Sequence, residues 1–229
     1  KLWTDEENRA LIADKYPEFL EDYDNFRYPI QRVDAARLFL IYEYGGMYTD
    51  LDIGCATPGK HWDAMWNHQG VVSETTPLGI TNAFLMFEPK NPFIWHAIQG
   101  LRGASRRPSI VTPYFNVMLS TGPTWLSYQL YLYEQTEKGP SAFPHVIDHN
   151  RWRNGLFVKQ FHGNTWHSWD AMIIKWFVAL FNSNFLLWGC FVLCAMGLAL
   201  FLWWRKRKNN NSPSRLLFRS TTPAFKLKN

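Results

Sequence analysis

The chain has 229 residues, 47% of them apolar and 17% aromatic, enough to bury a sizeable core and leave residues for an appendage. Its formal charge is +5, yet eight of the 24 Lys and Arg residues follow Trp204 and none of the 19 acids does. Residues 1–204 are therefore slightly acidic, which argues against nucleic acid as a partner, and Cys55 is the only cysteine outside an apolar run, so no disulfide can form there.

The chain opens at Lys1 with no secretory signal pattern and reads as a piece of a longer protein. Thr4 and Glu7 make a capping-box signal ahead of a helix through about Asp14. Gln31 to Tyr44 reads as a second helix, stopped by Gly45 and Gly46. Short apolar runs between turn residues, Met47 to Ile53, Gly70 to Ser73 and Ala83 to Phe87, read as strands. Helices are expected near Pro92 to Leu101 and Pro123 to Glu134, before a last extended region from His145 to His162. That order implies an α/β domain with a central, largely parallel sheet, over residues 1–170.

Phe185 to Trp204 is a run of twenty uncharged residues, which as helix would span about 30 Å, the thickness of a hydrocarbon core. Trp188, Trp203 and Trp204 lie near its ends, and Arg205, Lys206, Arg207 and Lys208 follow at once, as on the cytosolic flank of a membrane helix. The expected layout is a membrane-proximal segment over residues 171–184, a single transmembrane helix over residues 185–204, and a disordered basic tail over residues 205–229 in the cytosol. Residues 1–170 would lie across the membrane, and the one N-x-S/T sequon, at Asn210, would stay on the cytosolic side.

The stretch richest in chemistry runs from Arg32 to Asp52. Asp50 and Asp52 are two apart, so at a strand end both carboxylates project to one side. Two adjacent like charges between apolar flanks call for a cation, and a hard divalent ion prefers such oxygen ligands. The preceding helix carries Arg32, Asp34 and Arg37 among apolar neighbours, and Asp34 and Arg37, three apart, share a face. Sugar hydroxyls, which both donate and accept, would satisfy that carboxylate and guanidinium together. Arg102, Arg106 and Arg107 form a basic patch that a phosphorylated head group could meet, although solvated basic loops are commoner.

The order R-x-x-D-x-x-R, an apolar helix, then Y-x-Y-G-G-M-Y-x-D-L-D resembles the DXD sugar transferases of glycosyltransferase family 32, and more distantly the glucosyltransferase domains of large clostridial toxins. Leu2 to Asn8, Asn82 before an apolar strand, and T-G-P at Thr121 to Pro123 extend the resemblance over most of residues 2–170. Phe161 to Asp170 (F-H-G-N-T-W-H-S-W-D) resembles a motif of fungal inositol phosphorylceramide mannosyltransferases, with Thr165 where Ser is usual.

The resemblance implies a GT-A-like nucleotide-diphospho-sugar transferase fold whose N-terminal strand is missing, a retaining reaction, and Mn2+ or Mg2+ held by Asp50 and Asp52. It assigns Arg32, Asp34, Arg37, Asn82 and Trp166 to the donor sugar, and a C-terminal-loop residue, His162 ahead of His167, to the metal. The implied partners are a nucleotide sugar (GDP-mannose), inositol phosphorylceramide as lipid acceptor in the Golgi, the bilayer itself, and a membrane-bound regulatory subunit. Two rival expectations stand beside this: a glycoprotein-directed mannosyltransferase of the same family, and a non-catalytic membrane subunit that kept the fold.

Overall fold

The computed structural model describes residues 1–56, 65–76, 78–106, 112–136, 143–148, 158–161 and 169–210. The chain divides into two compact units, Lys1–Ala171 and Met172–Asn229.

The first unit opens with α1 (Asp5–Lys15), whose N-terminus has the expected reciprocal cap: the Glu7 N–H donates to Thr4 Oγ1 at 3.2 Å and the Thr4 N–H to Glu7 Oε2 at 2.9 Å. After a 3-10 turn at Pro17–Phe19 comes the short α2 (Leu20–Asp24). Helix α3 (Pro29–Tyr44) starts two residues earlier than its apolar pattern predicts, because Pro29 fits the first helical position and the Gln31 side chain accepts from the Tyr28 N–H at 3.0 Å. Every residue of α3 from Asp34 to Ile41 is buried, since the helix packs against α1, against α4 (Pro92–Gly100) and α5 (Pro113–Ser120), and against strand β4 (Ile80–Phe87). Tyr16, Phe19, Phe39, Tyr42 and Trp95 form one aromatic cluster where α1, α3 and α4 meet, with ring centroids 5.0 to 6.4 Å apart.

Gly45 ends α3 with φ +64, and it has a second duty that its place as a helix terminator does not reveal. A Cβ at Gly45 would come within 2.5 Å of Pro89 Cδ and 2.6 Å of Pro89 N. The segment after β4 is pressed against this point: the Lys90 N–H donates to Tyr42 O at 2.7 Å, and Lys90 Nζ pairs with Glu43 and lies 4.7 Å from the Tyr42 ring. Gly46, at φ +87, would meet nothing within 4 Å. Gly46→Ala should therefore lose only the backbone strain, about 1 kcal/mol, while Gly45→Ala adds a clash and should lose about 2–3 kcal/mol, read as urea midpoints of the two variants. Equal losses would mean that Pro89 yields freely.

The sheet corrects the expectation of largely parallel strands. Its order is β1 (Gly46–Thr49), β4, β3 (Gly70–Glu74), β5 (His145–Ile147); β1 and β3 both run antiparallel to β4, and only the β3–β5 pair is parallel. Only residues 75–79 separate β3 from β4, closed by a Thr75 N–H to Gly79 O bond of 2.8 Å. A connection that short forces a hairpin, because parallel neighbours need a crossover of about a dozen residues. Period-2 alternation divides the sheet's side chains: Val72, Leu85 and Phe87 join the helices, whereas Val71, Phe84 and Met86 join Ile147 and Val158 in a smaller core on the other face. β2 (Ile53–Cys55) and β6 (Val158–Gln160) make a separate antiparallel pair. Helix α6 (Pro123–Glu134) packs against α4, α5 and β4.

The long helix α7 (Trp169–Asn210) runs without a break across residues 171–184 and 185–204 and into the first six residues of the expected tail, in keeping with the absence of proline from it. Within it Gly189–Lys208 is long and apolar enough to cross a membrane, and its residues are exposed. This span begins and ends four residues later than residues 185–204. The tail beyond Asn210 lies outside the described residues.

Candidate active site

Helix α3 delivers Asp34 and Arg37 to one point because they are three residues apart on the same face. Arg37 is 2% exposed and Asp34 4%. Arg37 Nη2 lies 2.8 Å from Asp34 Oδ1, while Nη1 donates to the Asn82 carbonyl at 2.6 Å and stands 3.3 Å from Asp50 Oδ1. The guanidinium also lies 5.0 Å from the centre of the Tyr48 ring. The Asn82 amide donates to Asp34 Oδ1 at 2.9 Å, the Thr121 hydroxyl to Asp34 Oδ2 at 3.0 Å, and the Tyr48 hydroxyl to Asp50 Oδ1 at 3.0 Å. Residues from α3, β1, β4 and the end of α5 thus converge on two carboxylates and one guanidinium. Arg37 Nε is buried with no acceptor among the described residues, a donor that a bound hydroxyl can use.

Burial pushes the Asp34 carboxyl up to about 6, even though Arg37 and the hydrogen bonds from Thr121 and Asn82 pull it down. Burial also opposes the charge on Arg37, but Asp34, Asp50 and Asp52 outweigh it and raise its pKa, so the guanidinium stays charged. Asp50 is likewise raised, by burial first and then by the neighbouring Asp52, against Arg37 and the Tyr48 hydroxyl. Burial raises the Tyr48 phenol, with Asp50 adding to it against Arg37, which keeps it a hydrogen-bond donor.

Strand β1 stops at Thr49, earlier than the expected Met47 to Ile53, so Asp50 and Asp52 occupy a turn after the strand. The Asp50 N–H donates to Ala83 O at 2.9 Å and the Ile53 N–H to Asp50 O at 3.1 Å, which closes the turn with Leu51 88% exposed at its tip. Asp50 Oδ2 and both carboxylate oxygens of Asp52 engage no side chain among the described residues, and no third His, Cys, Asp or Glu joins them there. Oxygen donors left open in this way, close together and net negative, suit a hard divalent cation that also takes ligands from a diphosphate. The far side of the turn is stitched to the end of the unit: the Phe161 N–H donates to Asp52 O at 2.7 Å, and the Phe161 ring lies over Gly54, where a Cβ would be 2.8 Å from it.

The structure brings together Asp34, Arg37, Asp50 and Asn82, with Asp52 two residues away in the same turn. Arg32 stands apart from this group: its Nη1 donates to the Phe26 carbonyl at 2.9 Å, tying α3 to the segment after α2. Two positions along a helix turn a side chain by about 200°, away from Asp34. His162, Trp166 and His167 lie outside the described residues. In the basic patch Arg102 lies 4.6 Å from the Phe19 ring and Arg106 pairs with Glu21 at 2.7 Å on the surface, while Arg107 is outside the described residues. Sequence reasoning gives no role to Tyr48 and marks Thr121 only as part of T-G-P. Tyr48 had a signal, since a residue two before Asp50 in an extended chain points to the same side; for Thr121, 87 residues from Asp34, there was none.

Residues 2–70 match the glycosyltransferase sugar-binding region containing DXD motif. Inositol phosphoceramide mannosyltransferase 2 of Schizosaccharomyces pombe is 36% identical over 183 residues, covering 76% of this chain and 51% of that protein. Mannosyl phosphorylinositol ceramide synthase SUR1 of Saccharomyces cerevisiae is 32% identical over 176 residues, covering 76% of this chain and 45% of that protein. The chain thus spans about half the length of these relatives. Among solved structures, PaToxG glycosyltransferase is similar with a TM-score of 0.37 and 18% identity, covering 55% of this chain and 40% of that one.

Proposed function

We propose that this chain is a DXD-containing glycosyltransferase that transfers mannose, with retention, from GDP-mannose to inositol phosphorylceramide. The observation that carries this reading is the convergence of the buried Asp34–Arg37 pair on Asp50 of the open D-L-D turn. A shared guanidinium couples a hexose-binding carboxylate to a metal-binding one in a site of fixed geometry. Asp50 and Asp52, with His162 as a third ligand, would hold Mn2+ or Mg2+, which when bound neutralises charge developing on the leaving diphosphate.

The chain's own residues do the rest. Asp34 accepts from a sugar hydroxyl, Arg37 Nε donates to one, and Trp166 stacks on the ring. Tyr48 and Arg37 fix the rotamer of Asp50 before the donor arrives, so that catalysis rests on positioning and electrostatics. Acceptor attack from the donor's leaving-group face, with the departing phosphate taking the acceptor proton, requires no enzymic nucleophile. We read the first unit as GT-A-like, and the Gly189–Lys208 span as a Golgi anchor that keeps a lipid acceptor within reach, with the tail cytosolic and a membrane-bound regulatory subunit as partner.

The test is turnover of GDP-mannose, UDP-glucose and UDP-galactose by the full-length protein in detergent, with and without Mn2+, followed by offering inositol phosphorylceramide or an N-glycan as acceptor. We expect metal-dependent consumption of GDP-mannose and mannosylation of the lipid. Mannosylation of the N-glycan alone would reassign the acceptor, and metal-dependent GDP-mannose binding with no turnover would make the protein a non-catalytic subunit.

A further inference from the structure

We infer that Thr121 is a positioning residue, its hydroxyl fixing the orientation of the Asp34 carboxylate toward the donor sugar; this rests on the reading above. Thr121 is 1% exposed, and its Oγ1 donates to Asp34 Oδ2 at 3.0 Å. The two oxygens of Asp34 are not equivalently held. Oδ1 has both Arg37 and the Asn82 amide, whereas Oδ2 has only Thr121 among the described residues. A carboxylate rotates easily about its last torsion, so the Thr121 donor on Oδ2, together with the two partners of Oδ1, holds the plane of the group. It also leaves that oxygen a second lone pair for a ligand hydroxyl.

The hydroxyl is delivered from a rigid corner. Thr121 is the C-cap of α5, its N–H bonded to Val117 O at 3.1 Å, and Pro123 begins α6 two residues later. Between them Gly122 passes so close to α5 that a Cβ would stand 3.0 Å from Met118 Cα and 3.1 Å from Val117 O. The adjacent Ser120 is pinned to α3 in the same way, accepting from Gln31 Nε2 at 2.7 Å. Two consecutive residues of the α5–α6 corner therefore grip Gln31 and Asp34, which are one turn apart on α3. The Gln31–Ser120 bond already joins the corner to α3. The Thr121 bond instead reaches the carboxylate that would meet substrate.

The experiment uses the full-length protein and steady-state turnover of the donor that the wild type consumes. Thr121→Val keeps the shape and removes the donor; Thr121→Ser keeps the donor. We expect Thr121→Val to raise the donor KM about tenfold or more with kcat nearly unchanged, as befits loss of a hydrogen bond to a charged group that binds ground state and transition state alike. Thr121→Ser should restore KM. A purely structural role would lower the active fraction, and so kcat, and leave KM alone. An unchanged KM in Thr121→Val, or no rescue by serine, overturns the inference. Thr121→Ala is the second variant should valine fail to fold, and failure of both overturns it too, since the hydroxyl would then serve folding. If the wild type turns over no nucleotide sugar, the proposed function falls and this inference with it; wild-type turnover with an indifferent Thr121→Val leaves the function standing.

Discussion

Asp52→Asn should reduce metal-dependent sugar transfer at least about a thousandfold while leaving the stability of the first unit within about 0.5 kcal/mol of wild type. The two halves of this result have separate causes. Asp52 bonds through its backbone, which accepts from the Phe161 N–H, and its carboxylate has no side-chain partner among the described residues, so an amide of the same shape removes no native contact. In the proposed metal site it would remove half of the negative charge offered to a divalent cation, and amide oxygen is a poorer ligand than carboxylate. Asp50→Asn would be a worse probe, because Asp50 also lies 3.3 Å from Arg37 and accepts from Tyr48. Parallel measurements of Mn2+ affinity, donor turnover and thermal unfolding separate the effects. A fully active Asp52→Asn variant would remove the metal from the mechanism.

Arg37→Met should destabilise the fold by about 3–5 kcal/mol, because it leaves Asp34 as a buried charge without its cation. The same change frees the Asn82 carbonyl and strips Asp50 of its partner, so donor turnover should vanish as well. The loss should depend on pH in a direction that the pair dictates. Asp34 sits at about 6 in the folded protein, above its ordinary 3.8. Its contribution to stability is therefore fully present below about 3.8 and is lost as pH rises through about 6. Without Arg37 the folded-state value moves higher still, and protonated Asp34 needs no cation. The gap between variant and wild type, measured by urea unfolding in detergent, should therefore be smaller at pH 5 than at pH 8. An identical gap at both would show that the charge on Asp34 is not what Arg37 offsets.

Much of the site was legible because its parts are local. Asp34 and Arg37 share a helix, Asp50 and Asp52 share a turn, and the spacing between the pairs is a matter of a glycine-terminated helix. Burial of α3 also followed from its run of apolar residues. What the sequence could not disclose is long-range. Nothing near Asp34 announces that Thr121 and Asn82 donate to it across 87 and 48 residues, or that Arg32 is taken by the carbonyl of Phe26. The sheet was misread for a related reason. Strands alternating with helices suggest crossovers, but the short segment between β3 and β4 makes a hairpin, and β1 docks antiparallel beside it. Pro89 against Gly45 is likewise a contact between distant residues whose only local trace is the glycine itself.

The bond from Phe161 to Asp52, together with the pairing of β2 and β6, has an implication for damaged alleles. Among the described residues β6 is the sole strand partner of β2. A gene product ending before Val158 would retain every residue of the acidic motif and of the helix ahead of it, yet the downstream border of that motif would have nothing to zip onto. Premature stops far from the motif should thus be null for a reason that concerns folding of the site as much as loss of the Gly189–Lys208 helix.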